Sequence, residues 1–428
     1  MFIVDTALEK REQAKMPIRV GLIGAGYMGR GIALQFLIPL VGMRLVAISN
    51  RTIAEAERAY EDAGVDVVKR VENVGDLDKA IQDGRFAVTE DPFLLCKAGN
   101  IDAIIEGTGE IEFGAKVVME AINNGKHVVL MNAELDATLG PILKVHADRA
   151  GVVITNTDGD EPGVAMNLYR FVKTIGIRPV LAGNLKGMID PYRTPDTQRE
   201  FAEKNKQKPV MITSFADGTK LSMELTVLAN ATGFRAGKRG MFGHRCGHVK
   251  DALNLFPLEL FRDGGLVDYL LGAEPHTGAF VIGYDDHPIR RQYLNYFKMG
   301  DGPLYVFYTP YHLPHVQIAT TVARAVLFQD ATVAPKGKPV CDVVTVAKRD
   351  LKSGETLDGI GGFTCYGTIE NSDVSRKENL LPMGISGGCR LKNDILRDEA
   401  ITYSDVDLPP GRFCDKLKDE QNARFNSM

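Results

Sequence analysis

A lysine between an apolar strand and a glycine is the residue of this chain best suited to acid–base chemistry. Lys186 ends the run Val-Leu-Ala-Gly-Asn-Leu-Lys at residues 180–186, so we expect it at the end of a strand. Shielding from water brings the pKa of a lysine toward neutrality, so that the side chain can transfer a proton. Its ammonium can also polarise a carbonyl. The alternative is a surface lysine whose stem lies along apolar residues. We predict Lys186 as catalytic and Asn184 as a substrate ligand.

Three acidic residues lie together on a glycine-containing turn. Asp158, Asp160 and Glu161 occur in Asn-Thr-Asp-Gly-Asp-Glu-Pro-Gly, just before a predicted helix. Carboxylates on such a turn can bind Mg²⁺ or Mn²⁺ or orient substrate hydroxyls, and they can also cap the helix. We predict Asp160 and Glu161 as catalytic and all three as ligands of a divalent cation, with helix capping as the alternative role.

A glycine-rich turn near the N-terminus predicts a dinucleotide site. The apolar run 18–23 ends at Gly24, Gly26 and Gly29, where helical periodicity begins, and a second apolar run follows at 45–48. Gly24 permits a tight turn, Gly26 lets a pyrophosphate approach the backbone, and Gly29 lets helix and strand pack closely. The segment therefore reads as the strand, turn and helix of a Rossmann unit.

The residues after the second run favour NADP(H) over NAD(H). NAD proteins usually have Asp or Glu there, whereas this chain has Ser-Asn-Arg at 49–51. The Arg51 guanidinium can pair with a 2′-phosphate, unless it only begins the next helix in solvent. A later strand ends in small residues, so Gly107, Thr108 and Gly109 should border the nicotinamide ribose, and the strand after it has its polar end at Asn132. The predicted cofactor-binding residues are Gly24, Gly26, Tyr27, Met28, Gly29, Asn50, Arg51, Thr108, Gly109 and Asn132.

These residues imply an α/β protein of three parts. Alternating strands and helices predict a doubly wound Rossmann domain over residues 1–157. We predict an α+β substrate and oligomerisation domain over 158–335, whose last helix returns to the first domain, and a small β-rich domain over 336–428. Cations in the second part are candidates for holding a phosphate or carboxylate of the substrate: Arg193, Lys220, Arg239 and Lys298.

Composition sets limits on function. The 428 residues are 44% hydrophobic and 25% charged with a net charge of −4, which predicts neither nucleic-acid binding nor attachment to an acidic membrane. The N-terminus lacks the pattern of a signal peptide, and six singly spaced cysteines suit reduced thiols. We predict a cytoplasmic homo-oligomer that acts on a small, anionic molecule.

The motifs resemble a known family. The glycine turn, Ile-Ile-Glu-Gly-Thr-Gly at 104–109 and Gly-Lys-His-Val-Val-Leu-Met-Asn-Ala-Glu at 125–134 are similar to those of homoserine-dehydrogenase-like oxidoreductases. Those enzymes commonly have a lysine where this chain has Glu134, which argues against homoserine as the substrate. Two C-terminal segments, 343–357 and 389–406, share a strand, turn and strand rhythm that resembles the SAF domain.

The resemblance implies an activity. The family with a SAF domain includes reductoisomerases of the 1-deoxy-D-xylulose 5-phosphate type, which serve isoprenoid precursor synthesis. It implies that a cation near Asp158, Asp160 or Glu161 would polarise a hydroxy-ketone, that NADPH would reduce the rearranged aldehyde, and that Lys186 would stabilise the oxyanion. A simple dehydrogenase, or an oxidoisomerase of a hydroxy acid or sugar acid, is the alternative. A nicotinamide-binding regulator without catalysis is a third possibility, against which the several ionisable groups at 158–193 argue.

Overall fold

The computed structural model describes residues 3–38 and 40–426. Its strands, in chain order, are β1 Ile18–Ile23, β2 Met43–Ser49, β3 Lys69–Arg70, β4 Ala87–Thr89, β5 Ala103–Glu106, β6 His127–Leu130, β7 Ile154–Asn156, β8 Arg178–Lys186, β9 Arg235–Ala236, β10 His244–Arg245, β11 Leu266–Leu271, β12 Ala279–Tyr284, β13 Leu304–Thr309, β14 Cys341–Ala347, β15 Cys365–Asn371, β16 Arg390–Leu391 and β17 Val406–Asp407.

Its α-helices are α1 Ile3–Gln13, α2 Tyr27–Leu37, α3 Ile53–Glu61, α4 Val74–Gln82, α5 Pro92–Lys97, α6 Ile111–Asn123, α7 Ala133–Ala150, α8 Glu161–Thr174, α9 Arg199–Lys204, α10 Pro209–Ala216, α11 Thr219–Thr232, α12 Pro288–Tyr296, α13 Ile318–Phe328, α14 Ser372–Lys377 and α15 Phe413–Asn426. Short 3-10 helices span Val249–Asn254, Leu258–Phe261, Met383–Ile385 and Tyr403–Asp405. No helix within the described ranges is long and apolar enough to cross a membrane.

The chain divides into two compact units. Unit 1 consists of Met1–Asp160, Leu313–Ala334 and Lys416–Arg424, and unit 2 of Glu161–His312, Pro335–Asp415 and Phe425–Met428. The boundaries predicted at 157/158 and 335/336 stay a prediction.

Unit 1 is built on a seven-stranded parallel sheet. Its strand order is β3-β4-β2-β1-β5-β6-β7, and each neighbouring pair is parallel. The continuous apolar runs predict this, because strands covered by helices on both faces bury nearly every side chain. Val20, Leu22 and Ile48 are fully buried in its core, and Ile318 and Val322 of α13 belong to the same core. The order is that of a doubly wound Rossmann fold.

Unit 2 is built on a mixed sheet. The strands follow the order β10-β11-β8-β12-β13, and β9 also pairs with β11. β8 lies at the centre, parallel to β11 and antiparallel to β12. Helices α8 and α11 pack against each other and against β8. The last residue of β8 is Lys186, so this strand and these two helices position the candidate catalytic lysine.

The C-terminal part is β-rich. Strands β14 and β15 form an antiparallel pair, and β16 and β17 form a second pair. Helix α11 packs against β14 and β15. The predicted α/β fold, with a Rossmann sheet and a separate small β-rich C-terminal part, is confirmed. The assignment of that part as a SAF domain stays a prediction.

Candidate functional site

The glycine turn of unit 1 has the shape that a pyrophosphate needs. Gly24 has φ +103°, and a Cβ there would lie 2.7 Å from the carbonyl oxygen of Gly107. A Cβ on Gly29 would lie 2.1 Å from the carbonyl oxygen of Gly24, whereas a Cβ on Gly26 would have no atom within 4 Å. Gly24 and Gly29 are therefore required for the turn itself. Gly26 instead borders open space at the N-terminus of α2, where backbone amides attract phosphate.

The neighbouring predicted cofactor residues have distinct environments. Tyr27 is exposed and Met28 half-buried in the first turn of α2. The Asn50 side chain accepts a hydrogen bond from the Ala25 amide (3.1 Å) and donates one to the Thr52 carbonyl (3.0 Å). Asn50 thus fixes the turn, and the exposed Arg51 follows it.

The ends of β5 and β6 provide the other predicted cofactor residues. Thr108 is half-buried and Gly109 exposed after β5. Asn132 is buried; its side-chain oxygen caps α7 through the Leu135 amide (3.0 Å), and its amide donates to the Glu110 carbonyl (3.2 Å). The residues around the turn fit a nicotinamide dinucleotide, because they combine free helix-terminal amides, a glycine cradle and polar groups at the carboxyl ends of strands.

Lys186 lies in a cluster of polar side chains in unit 2. Its ammonium donates to an oxygen of Glu161, and it lies 3.4 Å from an oxygen of Glu224. The Asn184 amide donates to the same two oxygens, at 2.8 Å to Glu161 and 3.2 Å to Glu224. The Lys186 side chain is 22% exposed, against 2% for Glu161 and 5% for Glu224. The lysine is therefore the outermost charged group, with two carboxylates behind it.

Charge and burial set the protonation of this cluster. Burial raises the pKa of Glu224 to about 8, with Lys186 lowering it and the neighbouring Glu161 raising it further. His312 lies on the other side of Glu161, with its Nδ1 3.6 Å from the second carboxylate oxygen. The same nitrogen is 2.9 Å from the Thr277 hydroxyl. The cluster can hold, release and accept protons next to a partly exposed ammonium.

The positively charged residues that we predict to bind the substrate have different surroundings. Lys220 is half-buried one turn before Glu224 on α11, and its charge lowers the pKa of Glu224. Arg193 pairs with Asp190 at 3.0 Å. Arg239 pairs with two carboxylates, those of Glu370 and Glu378, and Lys298 is exposed beyond α12 with φ 66°. Their substrate roles stay predictions.

The three acids predicted as metal ligands have separate surroundings. Asp158 accepts hydrogen bonds from Arg324 and, at 2.9 Å, from the Thr332 hydroxyl. Asp160 is buried, and Glu161 belongs to the Lys186 cluster. Among the residues that the structure describes, no group of three or more His, Cys, Asp or Glu side chains could hold a metal ion. The metal role of these acids stays a prediction.

Sequence reasoning assigned no role to two buried carboxylates that border the candidate sites. Glu224 lies in an apolar helix 38 residues after Lys186, and the fold alone brings the two together. Glu106 is the last residue of β5, fully buried and bonded to Thr108. A charged residue inside an apolar run was the available signal in both cases.

Two family models match the segments that carry these sites. Residues 18–130 match the oxidoreductase family with an NAD-binding Rossmann fold, and residues 159–318 match the catalytic domain of Oxidoreductase DRL. The two matching segments are similar to parts of oxidoreductases. The first holds the glycine turn and the second holds Lys186, Glu161, Asn184 and Glu224.

Two homoserine dehydrogenases are similar to part of the chain. The homoserine dehydrogenase of Methylobacillus glycogenes is 28% identical over 123 residues, which are 29% of this chain and 26% of that protein. That of Neisseria gonorrhoeae is 28% identical over 141 residues, which are 32% of this chain and 28% of that protein. The chain thus spans little more than a quarter of the length of each relative.

Solved dehydrogenase structures align over more of the chain at lower identity. The apo scyllo-inositol dehydrogenase of Lactobacillus casei is 14% identical, covers 74% of this chain and 89% of its own, and gives a TM-score of 0.41. A putative myo-inositol dehydrogenase of Sinorhizobium meliloti is 13% identical, covers 73% of this chain and 87% of its own, and gives a TM-score of 0.39.

Proposed function

We propose that this protein is an NADP(H)-dependent oxidoreductase that interconverts a hydroxyl and a carbonyl group on a small, anionic substrate. The observation that carries the proposal is the cluster in which two buried acidic side chains, Glu161 and Glu224, hold the partly exposed ammonium of Lys186. A bound nicotinamide supplies or accepts the hydride in such a reaction. The remaining requirement is a group that moves one proton to or from the substrate oxygen, and Lys186 is our candidate.

The cluster supports a defined order of proton movements. In the reductive direction, the Lys186 ammonium donates its proton to the oxygen of the former carbonyl as the carbon receives hydride, which yields the hydroxyl. Glu224, which burial keeps protonated near neutral pH, then returns a proton to Lys186. Solvent replaces the proton on Glu224. Asn184 holds both carboxylates in place, because its amide donates to each of them.

The preference for NADP(H) rests on residues 49–51. This segment has no carboxylate to repel a 2′-phosphate. Asn50 is engaged in the turn, whereas Arg51 is exposed and able to pair with a phosphate. Replacing Arg51 by alanine should weaken NADPH binding while leaving NADH binding unchanged, as measured by nicotinamide fluorescence.

The proposal is tested by following nicotinamide absorbance with a substrate panel. Polyols, hydroxy acids and sugar acids are offered with NADP⁺ or NAD⁺, and 1-deoxy-D-xylulose 5-phosphate and simple keto acids with NADPH or NADH. We expect turnover with at least one anionic member, faster with the phosphorylated cofactor. Tight NADPH binding without turnover on any compound would instead favour a nicotinamide-binding regulator.

A reductoisomerase is the second candidate function. The observation that favours it is the second buried carboxylate, since rearranging a hydroxy-ketone requires a proton to leave one oxygen and another to arrive at a second. The resemblance implies a divalent cation for such an enzyme, and Asp158, Asp160 and Glu161 are its predicted ligands, but Arg324 pairs with Asp158 and Lys186 with Glu161 in this structure. Turnover of 1-deoxy-D-xylulose 5-phosphate that stops on chelation and returns with Mg²⁺ or Mn²⁺ is expected of this enzyme, whereas a dehydrogenase works after chelation. The homo-oligomeric state and the cytoplasmic location are predicted for both candidate functions.

A further inference from the structure

Glu106 is a fully buried carboxyl at the end of a central strand of unit 1. One of its oxygens accepts the backbone amide of Thr108 at 2.9 Å and also the Thr108 hydroxyl. Burial raises the pKa of Glu106, while the hydrogen bonds from Thr108 and Asn132 lower it. A buried carboxyl is costly unless it is hydrogen-bonded, and the bonds present here link Glu106 to the loop that follows β5.

The loop that Glu106 holds adjoins the glycine turn. The Gly107 amide donates to the carbonyl of Ile23, the last residue of β1, at 2.9 Å. A Cβ on Gly24 would collide with the Gly107 carbonyl, so the two backbones are in close contact. Residues 107–109 therefore form one side of the dinucleotide site, and their conformation depends on the two hydrogen bonds that Glu106 accepts from Thr108.

Strand order shows which half of the cofactor this side meets. β1 lies between β2 and β5, and the residues after β2 are those that face the adenosine ribose in Rossmann proteins. The loop after β5 is on the opposite side of β1. It therefore faces the half of the dinucleotide that carries nicotinamide.

We infer that Glu106 is a positioning residue for the nicotinamide half of the cofactor, acting by holding Thr108 and with it the backbone of residues 107–109. The inference rests on the cofactor role proposed for Thr108 and Gly109. It does not depend on the substrate, because it concerns binding of the dinucleotide alone.

Comparing a whole dinucleotide with its adenosine half tests this assignment. Dissociation constants for NADPH and for 2′,5′-ADP, which lacks the nicotinamide half, are measured by calorimetry on the wild type and variants, with NADH and ADP as a parallel pair. Glu106→Leu removes the acceptor, and we expect it to weaken NADPH binding about tenfold, since Thr108 is left without its partner. Binding of 2′,5′-ADP should be unchanged. Glu106→Gln keeps an acceptor oxygen and should restore NADPH binding.

Two further variants show whether Glu106 acts through Thr108. Thr108→Val removes the hydroxyl that donates to Glu106 and accepts the Glu110 amide at 3.4 Å, and it should weaken binding of NADPH but not of 2′,5′-ADP. The double variant Glu106→Leu/Thr108→Val should bind NADPH no more weakly than Glu106→Leu. The matched control is Asp102→Asn, a carboxylate that accepts the Arg19 amide at 2.7 Å at the other end of the same strands, and it should change neither constant.

Several results would overturn the inference. Equal weakening of both ligands by Glu106→Leu would mean a general structural role, and unchanged NADPH binding would mean no role. If Glu106→Leu does not fold, Glu106→Met, which also lacks the acceptor oxygen, is compared in the same way. A wild type that binds neither dinucleotide would overturn this inference together with the cofactor proposal, whereas normal binding without turnover would contradict only the proposed reaction.

Discussion

Among single residues, Lys186 is set apart by the way in which its ammonium is held. Glu161 of α8 and Glu224 of α11 contact the ammonium, and the Asn184 amide of β8 donates to both of these acidic side chains. Both acidic side chains are more buried than the lysine. Removing one partner from such a group leaves the others imperfectly paired in a region of low dielectric constant. Each member of the cluster should therefore affect the rate more than it affects cofactor binding.

The protonation of Glu224 gives a prediction about pH. Its pKa of about 8 means that the reserve proton is present below pH 8 and is lost above it. The reductive rate of the wild type should therefore fall as the pH rises through about 8, whereas Glu224→Gln should be slower and lack this decrease. The measurement is kcat against pH in buffers of constant ionic strength. The same decrease in both proteins would show that another group is titrating.

A matched control separates this effect from general damage to unit 2. Glu370 is also a buried carboxylate paired with a cation, but its partner is Arg239. Glu370→Gln should retain the wild-type decrease near pH 8.

At the scale of elements, two glycines in the turn between β1 and α2 have different roles. A Cβ on Gly29 would collide with the carbonyl of Gly24, whereas a Cβ on Gly26 meets no protein atom. Gly26 has φ −69°, which alanine adopts without strain. Gly29 is therefore needed for the fold of the turn, whereas we predict that Gly26 is needed for binding of the ligand.

We accordingly expect opposite results from two alanine variants. Gly26→Ala should keep the melting temperature of the wild type and lose NADPH affinity, because its methyl group occupies space needed by the pyrophosphate. Gly29→Ala should lower the melting temperature, because the added methyl group would force α2 away from the Gly24 carbonyl. Differential scanning fluorimetry with and without NADPH measures both effects. Full NADPH affinity in Gly26→Ala would place the pyrophosphate elsewhere.

Sequence patterns predict the elements better than they predict the cluster. Apolar runs and the glycine spacing indicate β1, β2 and the turn, because periodicity and turn chemistry are local properties. The pairing of Glu161 and Glu224 with Lys186 joins two helices to a strand, and no local pattern contains these contacts. For the same reason the sequence identifies Arg239 as a candidate substrate ligand without showing that Glu370 and Glu378 pair with it.

At the scale of the whole molecule, each unit is assembled from separate stretches of chain. Unit 1 contains α13 and residues 416–424 besides the N-terminal sheet, and unit 2 contains the C-terminal β-rich part besides its own sheet. Within unit 2 a buried ion pair joins these two parts, since Lys348 lies 3.0 Å from Asp217 with side chains 2% and 0% exposed. Lys348 also donates to the carbonyls of Arg193 and Gly362, both at 2.8 Å.

Loss of this lysine should destabilise unit 2. Lys348→Met leaves Asp217 buried without its cation, and we expect a loss of ~3–5 kcal/mol in the free energy of unfolding. Adding Asp217→Asn should recover part of that loss. Lys352→Met is the control, because Lys352 pairs with Asp394 at an exposed position and should change little. Urea unfolding followed by circular dichroism gives these values, and equal effects of the two methionine variants would contradict the role of burial.

The central claim is that Lys186 moves the proton in a nicotinamide-dependent reaction. The most direct test is Lys186→Met, measured with the best substrate of the panel for kcat and with NADPH alone for the dissociation constant. We predict a kcat at least ~100-fold lower with unchanged NADPH affinity, because the proton donor is lost while the cofactor segment is intact. A variant that retains the wild-type kcat would contradict the account.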